Sequence, residues 1–138
     1  MEKMQRLPYE KIRGKKKRGL IVDIMLWLTT KQIDTTDVSF FFDEKECVLK
    51  DGKMYIVREA APYEYFDYYS KKHILSMSFE GELNHILNMY TPGSTKLYDE
   101  FEAVFHKHHC YFELGNAWNL SVFLFDNEPM NGWQPTLY

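Results

Sequence analysis

The chain has 138 residues, of which 45% are hydrophobic and 27% charged, a composition that predicts one ordinary globular domain. The apolar stretch at residues 19–28 is too short for a membrane span, which needs about 20 apolar residues, and no small-residue cleavage site follows it. Two cysteines, Cys47 and Cys110, form no disulfide framework, so we expect a cytoplasmic protein with free thiols and no membrane partner.

Charge is distributed unevenly along the chain, although the net charge is only −3. Residues 1–18 carry eight Lys and Arg against two Glu, which gives +6, whereas the other 120 residues carry nine Lys and Arg against eighteen Asp and Glu, which gives −9. A basic arm on an acidic body bears on the choice of partners rather than on the fold.

The first long element is a helix over residues 15–31, because the segment exceeds the length of a typical strand and is rich in helix-forming residues. Within it, residues 19–28 read GLIVDIMLWL, and only Asp23 is polar. Apolar side chains then point in every direction, so this helix is expected to be covered on nearly all sides.

Strand patterns follow. Residues 38–42 are rich in aromatic side chains and predict a strand. Residues 47–50 and 53–57 flank Asp51-Gly52, a preferred pair for the two-residue turn of a β-hairpin, because both turn positions require positive φ. Residues 59–72 are expected to form an irregular segment.

The second half of the chain contains both the two-residue period of strands and the 3.6-residue period of helices. Residues 74–79 alternate apolar and serine side chains and predict a half-buried strand, and residues 80–90 and 95–108 show the spacing of amphipathic helices. Residues 110–114 and 118–125 predict a second hairpin, with Trp118 on the same buried face as Leu120, Val122 and Leu124.

The order of these elements predicts an α+β fold. A mostly antiparallel sheet with two hairpins is expected to pack against a buried N-terminal helix and two further helices. We divide the chain into a basic N-terminal arm at residues 1–18, a single α+β domain at residues 19–125 and an irregular C-terminal tail at residues 126–138.

The feature that best predicts a function is an aromatic tract between the strands. It mixes four tyrosines and a phenylalanine with two carboxylates, and its candidate partner-binding residues are Tyr63, Glu64, Tyr65, Asp67, Tyr68 and Tyr69. Tyrosine gives a large contact area at low entropic cost, and carboxylates favour a basic protein surface as the partner. The alternative interpretation is that Tyr65, Phe66 and Tyr69 form a lid over the edge of the core.

The basic run predicts an alternative function, because a row of cations suits contacts with nucleic-acid phosphates. Its candidate residues are Arg13, Lys15, Lys16, Lys17 and Arg18. The competing interpretation is a solvated arm in front of a core helix. The acidic body also argues against a broad nucleic-acid-binding face, so any such contact is expected through the arm alone.

Catalytic and metal-binding patterns are sparse. His106, His109 and Cys110 form the one dense group of metal-type ligands, but no distant pair of ligands completes a zinc site, so we predict no metal and no other cofactor. The competing interpretation is that these side chains meet the negative end of the preceding helix. With neither a Gly-x-Ser-x-Gly motif nor a glycine-rich phosphate loop, a metal-dependent enzyme at the histidines is the least favoured alternative.

Three stretches carry a resemblance to known proteins: RGLIVDIMLWL, LSMSFEGELNHILNMY and CYFELGNAWNLSVF. In these the chain resembles small accessory proteins carried by phages and mobile elements of gut bacteria, over about residues 11–125. The resemblance implies an inhibitor of host defence of the anti-CRISPR kind, which occupies the nucleic-acid channel of a nuclease. Its motifs are structural, so it assigns no functional residue.

Overall fold

The computed structural model describes residues 4–66, 73–89 and 91–135. Three helices and one seven-stranded antiparallel sheet account for the regular structure of this part of the chain, which confirms the predicted α+β fold. In chain order the elements are β1 (Gln5–Arg6), α1 (Lys15–Thr30), β2 (Val38–Phe42), β3 (Lys45–Lys50), β4 (Lys53–Glu59), β5 (His73–Phe79), α2 (Glu82–Leu87), α3 (Ser94–Lys107), β6 (Cys110–Asn116) and β7 (Asn119–Leu124).

The strand order across the sheet is β1-β4-β3-β2-β5-β7-β6. The predicted hairpins are both present, as β3–β4 and β6–β7, and Asp51 and Gly52 have the positive φ values of 53° and 74° that their turn requires. A third hairpin, β2–β3, was not predicted, because its turn residues Asp43 and Glu44 lack the usual glycine. The two-residue edge strand β1 was also missed.

Helix α1 is buried along one face rather than on nearly all sides. Leu20, Ile21, Ile24 and Leu28 are fully buried, but Leu26 is 57% exposed, so the expectation of near-complete cover is wrong at this position. The reason is geometric, because α1 packs against α3 and the sheet layer and leaves its outer side to solvent. Trp27, between these two sides, lies 5.0 Å from the ring of Phe101.

The start of α1 is joined to the C-terminal segment. Gly14 precedes the helix with a φ of 88°, and the carbonyl oxygen of Gly132 accepts hydrogen bonds from the backbone N–H groups of Lys16, at 2.8 Å, and Lys17, at 3.3 Å. The adjacent Trp133 is buried in the core. The arm and tail that we separated by sequence therefore contact each other, and the boundary at residue 18 falls inside α1.

The remaining helices complete one layer. Helix α3 contacts α1, α2 and β6, and its residues Phe101 and Phe105 are buried against Phe112. Helix α2 is shorter than the predicted residues 80–90, because it begins only after Gly81 and because Met89 has a φ of 62°. Within residues 4–66, 73–89 and 91–135 no helix has the length and hydrophobicity that a membrane crossing requires.

Candidate functional site

The candidate site lies on the face of the sheet opposite the buried side chains, which we call the open sheet face. Strand register places small polar residues there in neighbouring pairs, with Ser39 opposite Ser78 and Ser76 opposite Ser121. Asn119 lies opposite Ser78 on the far strand. The serine alternation of β5 therefore predicted a real face, although Ser76 is buried and its hydroxyl donates to the carbonyl oxygen of Leu120 at 2.8 Å.

Aromatic side chains surround these small polar residues of the open sheet face. A cavity of about 340 Å³, which we call the aromatic groove, is lined by Phe41, Tyr63, Tyr65, Ser76, Ser78 and Trp118, among others. A second cavity of about 170 Å³ extends it past Tyr65 and Ser76 towards Ser121. The groove thus combines hydroxyl groups at its base with ring faces at its sides, a common composition for binding sites.

The aromatic tract contributes one wall of the groove. Its first part is a 3₁₀ turn, Pro62–Glu64, which leaves the ring of Tyr63 76% exposed. Tyr65 stacks on Phe41 with ring centroids 5.3 Å apart, and Phe66 is buried against His73 at 4.4 Å. Within one tract, Phe66 therefore covers the sheet, as the lid interpretation expected, while Tyr63 faces solvent, as a binding surface requires.

Trp118 also lines the groove, and we predicted its position incorrectly. The residue precedes β7 rather than belonging to it, and its side chain is 52% exposed instead of sharing the buried face of Leu120. The cause is the tight turn before the strand, where Trp118 donates its backbone N–H to the side-chain oxygen of Asn116 at 3.0 Å. An asparagine two residues before a tryptophan, in a hairpin turn, is the sequence signal that we missed.

Charge beside the groove is mainly negative. Arg58 donates to Glu46 at 2.7 Å and to Glu64 at 3.0 Å, so two carboxylates share one guanidinium. The backbone N–H of Ala61 lowers the pKa of Glu64 below its ordinary value, and Arg58 adds to the effect, so this residue stays ionised. Glu113, opposite Ser121 on β6, adds a third carboxylate.

The other predicted partner-binding residues, Asp67, Tyr68 and Tyr69, lie outside the described residues. Of the six predicted positions, the structure therefore places Tyr63, Glu64 and Tyr65, and all three line the aromatic groove.

The basic run is largely engaged inside the molecule. Lys17 is only 2% exposed and forms a buried ion pair with Asp43, so its prediction as an accessible phosphate contact is corrected. Burial lowers the pKa of Lys17 from its ordinary value, against the opposing effect of Asp43. Lys16 lies 3.4 Å from a carboxylate oxygen of Glu128, and Arg18 donates to the carbonyl oxygen of Ile12 at 3.3 Å.

Arg13 and Lys15 are the exposed members of the run without such a role for their side chains among the described contacts. Arg13 lines a surface cavity of about 620 Å³ together with the Lys17–Asp43 pair and Gly132. Because most of the run is committed to internal contacts, the nucleic-acid alternative stays a prediction that now depends on Arg13, Lys15 and the half-exposed Lys16.

The predicted metal ligands point to different places. The ring of His106 packs near Phe125, the Nδ1 atom of His109 lies 3.2 Å from Glu128, and the buried thiol of Cys110 donates to the carbonyl oxygen of Phe105. Burial raises the pKa of the Cys110 thiol to about 12, so it is a poor thiolate ligand. Among the residues that the structure describes, no group of three or more His, Cys, Asp or Glu has a geometry that holds a metal ion.

The neighbouring His108 is engaged with another helix, because its Nε2 atom lies 2.6 Å from a carboxylate oxygen of Asp23 in α1. No protein-family model matches the chain, and no curated protein or solved structure is significantly similar to it.

Proposed function

We propose that this protein is a small, non-catalytic protein-binding module that uses the aromatic groove to occupy a basic surface of its partner. The single observation that carries the proposal is the exposure of Tyr63 and Trp118 in the lining of one groove. Large rings of this kind, with a polar tip, supply most of the binding energy in protein interfaces.

Electrostatics supports the choice of a basic partner. Three carboxylates, Glu46, Glu64 and Glu113, lie on this face of the sheet, and the cation Arg58 contacts the first two. Residues 19–138 also carry a net charge of −9, since their eighteen acidic residues outnumber nine basic ones. A surface of this sign steers a positively charged partner towards the groove and repels acidic competitors.

On this proposal the partner is a nucleic-acid-processing protein in the cytoplasm, whose basic channel becomes blocked when the groove binds it. The resemblance to accessory proteins of phages and mobile elements narrows the proposal to inhibition of a host defence nuclease. Occupation of the channel requires no catalytic group, which agrees with the sparse catalytic motifs of the chain.

The test compares two variants for binding to a partner isolated from the native host with the wild-type protein as bait. Tyr63→Ala combined with Trp118→Ala removes the two most exposed rings of the groove, whereas Leu26→Ala removes a similarly exposed apolar side chain from α1. We expect the groove variant to lose at least about tenfold in affinity by calorimetry, because exposed aromatic anchors each contribute about 1 kcal/mol or more. The Leu26→Ala control is expected to bind like the wild type.

A nuclease partner is further expected to lose cleavage activity in proportion to the amount of protein added, and binding is expected to weaken as salt is raised. Unchanged affinity of the groove variant, or loss of affinity in the Leu26→Ala control alone, contradicts the proposal.

A further inference from the structure

Strand β6 lies at one end of the seven-stranded sheet, and no described strand pairs with its outer edge. The strand at the opposite edge of the sheet, β1, is only two residues long. Short edge strands are a common protection against unwanted pairing, whereas β6 has seven residues, of which the last four are exposed.

The register shows which backbone groups of β6 face outward. The N–H of Phe125 donates to the carbonyl oxygen of His109 at 3.4 Å, so these two residues form a hydrogen-bonded pair. Backbone direction alternates along an antiparallel ladder, and Tyr111 and Glu113 therefore also point their backbone groups at β7. Phe112 and Leu114 consequently direct their N–H and C=O groups to the free edge.

Only part of the usual edge protection is present in this strand, since Glu113 is its one charged residue. Its sequence, CYFELGN, contains neither proline nor lysine, and its bulge comes only at the end, between Leu114 and Asn116. The side chain of Leu114 is 38% exposed at this edge. Within the described part of the chain, no strand pairs with the outward backbone groups of Phe112 and Leu114, although Cys110 at the start of β6 is fully buried.

Negative charge flanks the edge on both faces of the sheet. Glu113 is exposed on the open sheet face, next to the extension of the aromatic groove. On the helix side, the ring of Tyr98 lies 5.8 Å from that of Phe112, and its pKa is raised by burial and by the charges of Glu102 and Asp99. Of the lysines on α3, Lys107 lies 3.4 Å from Asp23, and the charge of Lys96 contributes to lowering the pKa of Glu100.

We propose that β6 accepts an extended segment of the partner protein, rich in Lys and Arg, as an eighth strand of the sheet. The main-chain groups of Phe112 and Leu114 supply the hydrogen bonds, and the flanking carboxylates select for basic side chains on the added strand. This inference rests on the proposed protein-binding function and gives it a second contact region beside the groove.

A second copy of this chain fits the edge less well. Pairing β6 with its own copy brings a second Glu113 and a second set of α3 carboxylates to the same edge, and like charges across neighbouring strands destabilise the pairing. Charge complementarity therefore favours the basic segment, and self-association becomes one outcome of the test.

The test uses a short synthetic peptide of alternating lysine and valine, with an alternating glutamate and valine peptide as the charge control. In the wild-type protein we expect the lysine peptide to slow the amide hydrogen exchange of Phe112 and Leu114 by about tenfold or more, because amides that enter a ladder become protected. The glutamate peptide is expected to leave both amides unchanged. Equal effects of the two peptides, or no effect of either, overturn the proposal.

Two variants of one residue isolate the backbone contribution. Leu114→Pro removes an outward N–H without breaking a bond to β7, whereas Leu114→Ala shortens the same side chain and keeps the N–H. We expect the proline variant to lose at least about tenfold in affinity for the lysine peptide, and the alanine variant to lose much less. The exchange measurement on the wild-type protein decides the question even where the proline variant fails to fold.

The failures of the two proposals are distinguishable. Normal partner binding by Leu114→Pro, together with loss of binding by the groove variant, overturns the edge-strand inference and leaves the proposed function standing. If the peptide protects β6 but the partner binds the groove variant as tightly as the wild type, the proposed function is overturned instead. Concentration-dependent dimerisation that protects Phe112 and Leu114 without peptide assigns the edge to a second copy and also overturns the inference.

Discussion

The ammonium group of Lys17, in the first turn of α1, forms an ion pair with the carboxylate of Asp43, in the turn between β2 and β3, where both side chains are almost fully buried. The backbone N–H of Arg13 donates to the second carboxylate oxygen of Asp43 at 2.8 Å. The basic run is thus attached to the sheet by one acidic residue.

Lys17→Met is expected to lower the free energy of unfolding by roughly 3–5 kcal/mol, because it leaves the carboxylate of Asp43 buried without its counter-ion. Lys15→Met, which replaces an exposed lysine of the same helix, is the matched control and is expected to stay within about 0.5 kcal/mol of the wild type. Denaturant unfolding measures both. A loss below about 1 kcal/mol for Lys17→Met shows that the buried pair contributes little.

Lys17 also shows why part of the structure was not predictable from the sequence. The turn at Asp51-Gly52 follows from two neighbouring residues and was predicted correctly. The local period of β5 correctly predicted a strand with its serines on one face, but the strand is buried on both faces rather than half-buried. The burial of Lys17 depends on Asp43, which is 26 residues away in the chain. The local pattern RGKKKR indicates only exposed cations, whether as a solvated arm or as phosphate contacts. Contacts of this range are set by tertiary packing.

The residues of the candidate site likewise include some that the sequence predicts and some that only the folded structure brings together. Tyr63 and Tyr65 were identified from composition, because a tyrosine-rich tract is unusual whatever its partners. Trp118 and Phe41 were not, since they join the groove only when β2, β5 and the β6–β7 turn are assembled side by side.

Gly14→Ala is expected to be strongly destabilising, because two effects combine at this position. Its φ of 88° is unfavourable for a side chain, and an added Cβ would lie 2.6 Å from the carbonyl oxygen of Gly132, the same atom that caps α1. We expect a loss of about 2–4 kcal/mol in the free energy of unfolding, measured by chemical denaturation.

Gly93→Ala is the matched control for this effect. Gly93 has a similar φ of 81°, but no atom lies within 4 Å of its added Cβ, so only the backbone penalty of about 1 kcal/mol is expected. The difference between the two variants combines the contact between Gly14 and Gly132 with the less favourable ψ of Gly14, which is 117° against −2° at Gly93, and equal losses contradict the close approach.

Glu128 is expected to make stability sensitive to acid. The hydrogen bond from the indole of Trp133, at 2.9 Å, lowers the pKa of Glu128 below its ordinary value of 4.5, and His109 and Lys16 add to this against the opposing effect of burial. As the pH falls, the unfolded chain therefore binds a proton before the folded one does. The stabilisation is complete above the unfolded pKa and is lost as the pH falls through the folded pKa.

Glu128→Gln carries no charge at any pH, so its free energy of unfolding is expected to fall less steeply than that of the wild type between about pH 5 and about pH 3. Trp133→Phe, which keeps a buried ring but removes the donor, is expected to reduce the slope in the same direction. Denaturant unfolding at a series of pH values gives the slopes, and three identical slopes refute the role of Glu128.

Glu44→Gly is expected to stabilise the protein, in contrast to most single substitutions. Glu44 has a φ of 60° in the β2–β3 turn, where a side chain is unfavourable and glycine is not, and its carbonyl oxygen accepts a backbone hydrogen bond from Ala60 at 3.0 Å that glycine preserves. We expect a gain of about 0.5–1 kcal/mol in the free energy of unfolding.

Glu59→Gly, at the exposed end of β4, is the control and is expected to lose a comparable amount, because glycine weakens an extended strand. A loss of stability in Glu44→Gly would show that the Glu44 side chain contributes more than its backbone strain costs, and would place a specific contact of that side chain beside the Lys17–Asp43 pair.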